Sequence, residues 1–128
     1  MRETCLAIII THGNLAGCLK RVSERLIVPS GLIEYYSNNR LSLEEIEKRI
    51  ENKRKKLKPQ KMVLFVDLVG GSCWLLANRI KKDSAHIAVI GGVNIPMLIS
   101  YHINFLRLSW NELLKKIVDD GKKGILIR

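Results

Sequence analysis

An apolar run without polar alternation, Leu-Ala-Ile-Ile-Ile at residues 6–10, constrains the fold more than any other feature of the chain. A strand with one solvated face alternates apolar and polar residues, so a continuous run predicts a strand that is buried on both faces. Residues 62–66 and Ile87–Ile90 have the same character. Strands of this kind are typical of a parallel sheet that helices cover on both sides.

Amphipathic segments separate the apolar runs. The first follows Asn14, the expected N-cap of a helix whose apolar residues recur at helical spacing. A capping box, Ser42 with Glu45, opens the second helix, and Pro59 ends it. Ser72 is the expected N-cap of a third helix over residues 73–82. Two further helices are expected after Pro96 and Ser109, which are a favoured first-turn residue and a favoured cap.

This alternation of strands and helices predicts an α/β fold, a doubly wound three-layer sandwich with right-handed crossovers. The expected sheet is mostly parallel and has four strands, over residues 4–11, 32–36, 62–66 and 87–90. A turn bracketed by Gly121 and Gly124 is expected to lead into a terminal strand over residues 125–128. The 128 residues fit one domain, residues 1–128.

The chain is basic, with 22 Lys and Arg against 12 Asp and Glu and a formal net charge of +10. Much of the excess lies in residues 48–61, which we interpret as a solvated helix with a basic C-terminal end. The alternative is a patch for nucleic acid, but no aromatic residues interleave with the lysines as a base-stacking surface would need. The N-terminal apolar run is too short for a signal peptide or a membrane span, so we expect a cytoplasmic protein.

Three cysteines, Cys5, Cys18 and Cys73, are an odd number without CxxC spacing, which argues against a disulfide framework or a zinc site. We interpret Cys5 and Cys18 as packing residues. Cys73 is expected at a helix N-terminus, where a thiol can be reactive, although packing is the favoured interpretation there too. We predict neither a metal site nor a cofactor.

Small and polar residues collect at the carboxyl ends of the predicted strands, where open α/β sheets bind ligands. His12 and Asp67 end two different strands, and Gly-Gly-Ser at residues 70–72 opens a helix. If the two strands are neighbours, the carboxylate can accept a hydrogen bond from one imidazole N–H and leave the other ring nitrogen free. Helix N-termini bind anions, phosphate above all. Together these residues suggest a phosphohistidine site.

Each of these features also has an ordinary structural interpretation. A histidine at a strand end is often incidental, an Asp after a strand is often a cap, and Gly-Gly-Ser is a common turn. The pattern alone leaves phosphoryl transfer and a purely structural role open. His86 and His102 have no polar neighbours in sequence, and we interpret both as structural.

Three segments, residues 10–16, 66–72 and 92–98, resemble the signature segments of the mannose-type enzyme IIA domain of the bacterial phosphoenolpyruvate-dependent sugar phosphotransferase system. They occur in the family's order, and the similarity covers nearly the whole chain. The resemblance implies that His12 takes a phosphoryl group from the histidine phosphocarrier protein and gives it to a IIB domain. It implies that Asp67 holds the imidazole and that Gly71 and Ser72 line the phosphate.

The resemblance also implies a cytoplasmic homodimer whose last strand can be antiparallel and cross to the other subunit, here residues 125–128 hinged at residues 121–124. The membrane components IIC and IID would be indirect partners. The chain departs from the family at Cys73, where proline is usual, and in its basic charge. The phosphocarrier usually docks with a positive surface, so either the lysines lie away from the cleft or the partner differs.

Two other functions remain open. The phosphotransfer subunit of dihydroxyacetone kinase has the same type of domain, although its further carrier domains are absent from this chain. A non-catalytic module could instead use residues 53–61 to bind RNA or another acidic partner, and such binding would weaken steeply with salt.

Overall fold

The computed structural model describes residues 4–128 and contains four strands and five helices in alternating order. The strands are β1 (Cys5–Thr11), β2 (Leu32–Ser37), β3 (Lys61–Val66) and β4 (Ile87–Ile90). The helices are α1 (Leu15–Leu26), α2 (Leu43–Leu57), α3 (Ser72–Lys81), α4 (Ile95–Asn104) and α5 (Trp110–Lys123). The predicted α/β class and the four strands are therefore confirmed.

All neighbouring strands pair in parallel, in the order β2-β1-β3-β4. At the centre of the sheet Ile8 is in register with Glu34 of β2 on one side and with Leu64 of β3 on the other. The chain leaves β1 toward one edge of the sheet and returns to the other side of β1 with β3. This change of direction makes the carboxyl ends of β1 and β3 the crevice in which doubly wound sheets bind ligands.

Two hydrophobic cores lie on opposite faces of the sheet, as expected for three layers. On one face Ile8 and Leu64 pack in a cluster with Ile46 and Ile50 of α2 and with apolar residues of α3. On the other face Ile9 belongs to a cluster that α1, α4 and α5 complete. Because successive strand residues point to opposite faces, the apolar run of β1 fills both cores, and this explains its lack of alternation.

The C-terminal end differs from the expected turn and strand. Helix α5 continues through Gly121 to Lys123, with Gly124 as its C-cap, and residues 125–128 form no strand. Gly121 is buried inside the helix, where a Cβ atom would lie 2.7 Å from the Cε atom of Met97. Its glycine therefore serves close packing of α5 on α4 rather than a turn. Exchange of residues 125–128 between two subunits stays a prediction.

No helix within residues 4–128 is both long enough and apolar enough to cross a bilayer.

His102 on α4 has the structural role that its sequence context predicts. Its ring is buried, and Nδ1 accepts a hydrogen bond of 3.2 Å from the backbone N–H of Gly31. Burial lowers the pKa of His102 below its ordinary value, while Glu24 opposes the shift and Lys20 adds to it. His102 therefore binds a proton less readily in the folded protein than in the unfolded chain.

We predict that the free energy of unfolding falls as the pH is lowered through about 6.5, which is the pKa of histidine in an unfolded chain. The fall continues until the pH drops below the lower pKa of His102 in the folded protein. Above this window the ring is neutral in both the folded and the unfolded chain, so His102 adds no pH dependence. In His102→Asn the side-chain oxygen can still accept from Gly31, but the side chain cannot titrate. Urea unfolding at several pH values between 7.5 and 5 should show a steeper loss in the wild type than in the variant. Equal slopes would contradict the assignment.

Candidate functional site

The turn between β1 and α1 places His12 at the carboxyl end of the sheet. Buried Thr11 ends the strand, and its Oγ1 accepts a hydrogen bond of 2.7 Å from the N–H of Ala16. Asn14 occupies the predicted N-cap position, but its side chain makes no capping hydrogen bond. The hydroxyl of Thr11 accepts the hydrogen bond that a capping side chain would accept. Gly13, at φ +57°, donates its N–H to Oδ1 of Asn38 at 3.1 Å.

One carboxylate oxygen holds both the backbone and the ring of His12. Oδ2 of Asp67 accepts from the backbone N–H of His12 at 2.9 Å and lies 3.0 Å from its ring Nδ1. The condition set in the sequence analysis is met, because the strands that end at these two residues are neighbours. A carboxylate at Nδ1 favours the tautomer with the proton on Nδ1, which leaves a lone pair on Nε2. The His12 side chain is 46% exposed and that of Asp67 only 16%, so the ring is accessible while its support is largely buried.

The charge of Asp67 is set by two opposing effects. Burial raises the pKa of its carboxyl group, but the hydrogen bonds from the backbone and ring of His12 outweigh burial and hold the pKa below the ordinary value. Asp67 is consequently ionised at neutral pH. Its other oxygen, Oδ1, is buried without a hydrogen-bond partner among residues 4–128.

The N-terminus of α3 faces the free side of the ring. The N-cap is Gly71, and Ser72 is the first helical residue, so the prediction of Ser72 as the cap is wrong by one position. This shift brings Oγ of Ser72 to 3.1 Å from Nε2 of His12 instead of using it on the helix. Gly71 has no side chain to cover the first N–H groups of α3, which have no acceptor inside the helix. The Ser72 hydroxyl and these free N–H groups could together bind an anion beside Nε2 of His12.

Close approach explains why residue 71 is a glycine. A Cβ atom there would lie 3.3 Å from Cε1 of the His12 ring, a contact tighter than most side chains make. Gly70, at φ +86°, supplies the left-handed turn that leads from Asp67 into this position. The sequence Gly70-Gly71 therefore sets the distance between the ring and the helix N-terminus.

Cys73 lies under the ring and is buried in the core between the sheet, α2 and α3. Its Sγ is 4.0 Å from Nδ1 of His12. Burial, and secondarily the negative charge of Asp67, raise the pKa of the thiol to about 11. This burial agrees with the packing role that we favoured, and the raised pKa opposes the alternative of a reactive thiol at the helix N-terminus.

The other polar strand ends do not reach the ring. Asn94, after β4, caps α4 by accepting from the N–H of Met97 at 3.1 Å and donates to the carbonyl of Gly121 at 3.1 Å. The basic residues at the end of α2 lie at the amino ends of the strands, because α2 leads to the first residue of β3. Asp67 follows the last residue of β3 and therefore lies at the carboxyl end. Six residues of strand, about 20 Å, separate Lys61 from Asp67.

Sequence reasoning missed three supports of the site. Thr11 and Asn38 hold the turn that carries His12, and the thiol of Cys73 is a neighbour of its ring. A threonine five residues before a helical N–H and an asparagine after a neighbouring strand are weak signals by themselves. Only the strand order, with β1 between β2 and β3, shows that these residues lie together around His12.

Comparisons with known proteins give matches over most of the chain. A family model described as "PTS system fructose IIA component" matches residues 7–118. The PTS system mannose-specific EIIAB component of Escherichia coli strain K12 is 35% identical over an alignment of 126 residues, and the match covers 94% of this chain. The chain spans 38% of the length of that relative.

Solved structures share the fold. The phosphotransferase system component EIIA from Streptococcus agalactiae has a TM-score of 0.83 at 17% identity, covering 96% of each chain. The mannose/sorbose specific IIA subunit from Enterococcus faecalis has a TM-score of 0.80 at 16% identity, covering 100% of this chain and 96% of that one.

The environment of Cys73 predicts selective protection from alkylation. The partly exposed Cys18 should react with iodoacetamide at pH 8, whereas Cys73 should react much more slowly because its thiol is buried and almost wholly protonated. Tandem mass spectrometry of tryptic peptides after timed labelling measures both rates in one sample, and the fragment ions separate Cys18 from Cys5, which lies on the same peptide. In urea the two rates should converge. A native Cys73 that reacts as fast as Cys18 would contradict the described burial.

Proposed function

The chain belongs to the family of PTS IIA components, and from this membership and the geometry around His12 we propose that it is a phosphoryl carrier of a sugar phosphotransferase system. His12 accepts a phosphoryl group from the histidine phosphocarrier protein and passes it to a IIB domain. The observation that carries the proposal is the position of one imidazole between the Asp67 carboxylate and an uncapped helix N-terminus.

Nε2 of His12 is the proposed acceptor atom. Nδ1 is occupied by its hydrogen bond to Asp67, while Nε2 faces Ser72 and the N-terminus of α3. The lone pair of Nε2 attacks phosphorus, and the bond from phosphorus to the donor's nitrogen breaks as the new bond forms. The proton stays on Nδ1, so the phosphorylated ring is formally positive, and ionised Asp67 balances that charge.

The N-terminus of α3 is suited to the incoming phosphate. The exposed N–H groups and the helix dipole favour the negative oxygens, and the Ser72 hydroxyl can turn from the ring to donate to one of them. Gly71 lets the phosphate approach the backbone. In this proposal positioning and charge stabilisation supply most of the rate, because phosphoryl transfer needs little other chemistry from the protein.

An apolar rim beside His12 offers a docking surface for both partner proteins. Leu68 and Val69 are 61% and 62% exposed in the loop between β3 and α3, and Leu15 is exposed at the start of α1. The basic end of α2 lies at the other edge of the sheet. A positively charged phosphocarrier surface would therefore not meet those lysines when it reaches His12.

The family also favours a cytoplasmic homodimer that serves membrane components IIC and IID indirectly. We propose the same setting for this chain. Sugar choice would then belong to the membrane components, because the phosphoryl group and not the sugar reaches His12.

We predict that His12→Gln abolishes phosphorylation. The donor is the phosphorylated histidine phosphocarrier protein bearing ³²P, and the product is one acid-labile phosphate per chain. His86→Gln is the matched control, since His86 is also exposed but lies next to Lys61 at the opposite edge of the sheet. It should label like the wild type. Label retained by His12→Gln would refute the assignment.

A second variant tests the role of the carboxylate. Asp67→Asn keeps the size of the side chain but loses its charge, and its amide can present an N–H to Nδ1 and reverse the tautomer. We predict transfer slower by on the order of 10²-fold, the usual scale for a positioned acid–base group. Quenched-flow labelling measures the rate, and circular dichroism checks the fold. A wild-type rate in a folded variant would remove Asp67 from the mechanism.

A further inference from the structure

Three side chains of different chemistry converge beneath the His12 ring. Nδ1 of His12, a carboxylate oxygen of Asp67 and Sγ of Cys73 all lie within 4.8 Å of one another. Nδ1 is 3.0 Å from Oδ2 of Asp67 and 4.0 Å from Sγ. Imidazole, carboxylate and thiolate are the three protein ligands of zinc.

Two of the three separations, those from Nδ1 of His12 to Oδ2 of Asp67 and to Sγ of Cys73, are close to those of a zinc coordination sphere. With bonds of about 2.0–2.1 Å to nitrogen and oxygen and about 2.3 Å to sulfur, tetrahedral angles place nitrogen about 3.3 Å from oxygen and about 3.6 Å from sulfur. The described distances of 3.0 and 4.0 Å reach these values with side-chain shifts of less than 1 Å.

The carboxylate provides an independent observation at the same place. Oδ1 of Asp67 is buried and has no hydrogen-bond partner among residues 4–128. Buried carboxylate oxygens are normally satisfied, and an ion is one of the groups that satisfy them. Zinc bound through both oxygens of the carboxylate would satisfy Oδ1, whereas zinc on Oδ2 alone would not. A cation bound by Asp67 would also offset the negative charge that the thiolate adds.

We propose that His12, Asp67 and Cys73 bind a zinc ion, and that bound zinc and a phosphoryl group exclude each other on His12. The binding depends only on the three ligands. The exclusion rests on the proposed phosphoryl-carrier function. Cys73 is the residue that distinguishes this site from a plain His–Asp pair, and its thiol proton leaves for solvent when zinc binds.

The exclusion follows from the electron count of imidazole. A neutral ring has one nitrogen lone pair and one N–H. When zinc takes the lone pair at Nδ1, the proton moves to Nε2, which then has no lone pair with which to attack phosphorus. Zinc also draws Asp67 away from its hydrogen bond with the ring. The reverse holds after transfer, because the phosphorylated ring keeps its proton on Nδ1 and leaves no donor for the metal.

Cobalt(II) is a direct probe of the binding, independent of any activity. A thiolate ligand gives a near-ultraviolet charge-transfer band, and a tetrahedral site gives visible d–d bands. We expect both in the wild type and in Cys18→Ser, the control for a cysteine outside the cluster. Cys73→Ser and Cys73→Ala should lose the charge-transfer band, and zinc should displace cobalt from the wild type.

The affinity of zinc should fall at least about tenfold in Cys73→Ser, since even the loss of outer-shell partners costs about 10–100-fold. A competition titration with a chromophoric chelator measures it, and circular dichroism verifies that each variant is folded. No thiolate band in the wild type, or an equal band in a folded Cys73→Ser, would overturn the site.

Labelling from the phosphorylated phosphocarrier tests the exclusion. Each protein is compared with its own zinc-free rate. Zinc should slow labelling of the wild type and of Cys18→Ser, EDTA should reverse the effect, and Cys73→Ser should need at least about tenfold more zinc for the same inhibition. Inhibition with equal zinc dependence in all three would overturn the exclusion. If the wild type takes no label, the phosphoryl-carrier function fails, whereas the cobalt spectra still decide the metal site.

Discussion

The two hydrogen bonds that Oδ2 of Asp67 accepts from His12 are the interaction on which the site depends. The bond to the backbone N–H fixes the end of β1 against the end of β3, and the bond to Nδ1 fixes the ring. Because the same oxygen makes both, one carboxylate positions the ring and the strand end that carries it. The parallel pairing of β1 with β3 puts the two residues within reach although they are 55 positions apart. A helix N-terminus without a side-chain cap then completes a site that holds an anion beside Nε2.

Much of this architecture was predictable because one physical pattern repeats along the chain. Continuous apolar runs predict strands buried on both faces, and the five helices begin at residues with recognisable first-turn or capping signals. The positions of His12 and Asp67 after such strands predicted that the two residues would meet if their strands were neighbours. The strand order did not follow, since parallel strands of similar composition give no local signal of which strand is the neighbour. The supports from Thr11 and Asn38 depend on that order and were missed.

The errors have local physical causes. Gly121 carries the sequence signal of a turn but is needed for contact with Met97, and the helix passes through it. Ser72 carries the signal of a cap, but Gly71 takes that position and leaves the hydroxyl free to meet the ring. The cluster beneath His12 brings together side chains from three separate positions of the chain, a grouping that the spacing of residues in the sequence does not reveal.

The central claim is that Asp67 reserves Nδ1 of His12 and leaves Nε2 as the atom that accepts phosphorus. The most direct test is one-bond ¹⁵N–³¹P coupling in the phosphorylated protein with ¹⁵N-labelled histidine. The account predicts phosphorus bonded to Nε2 of His12, with a proton retained on Nδ1. Phosphorus on Nδ1, or on another residue, would contradict it.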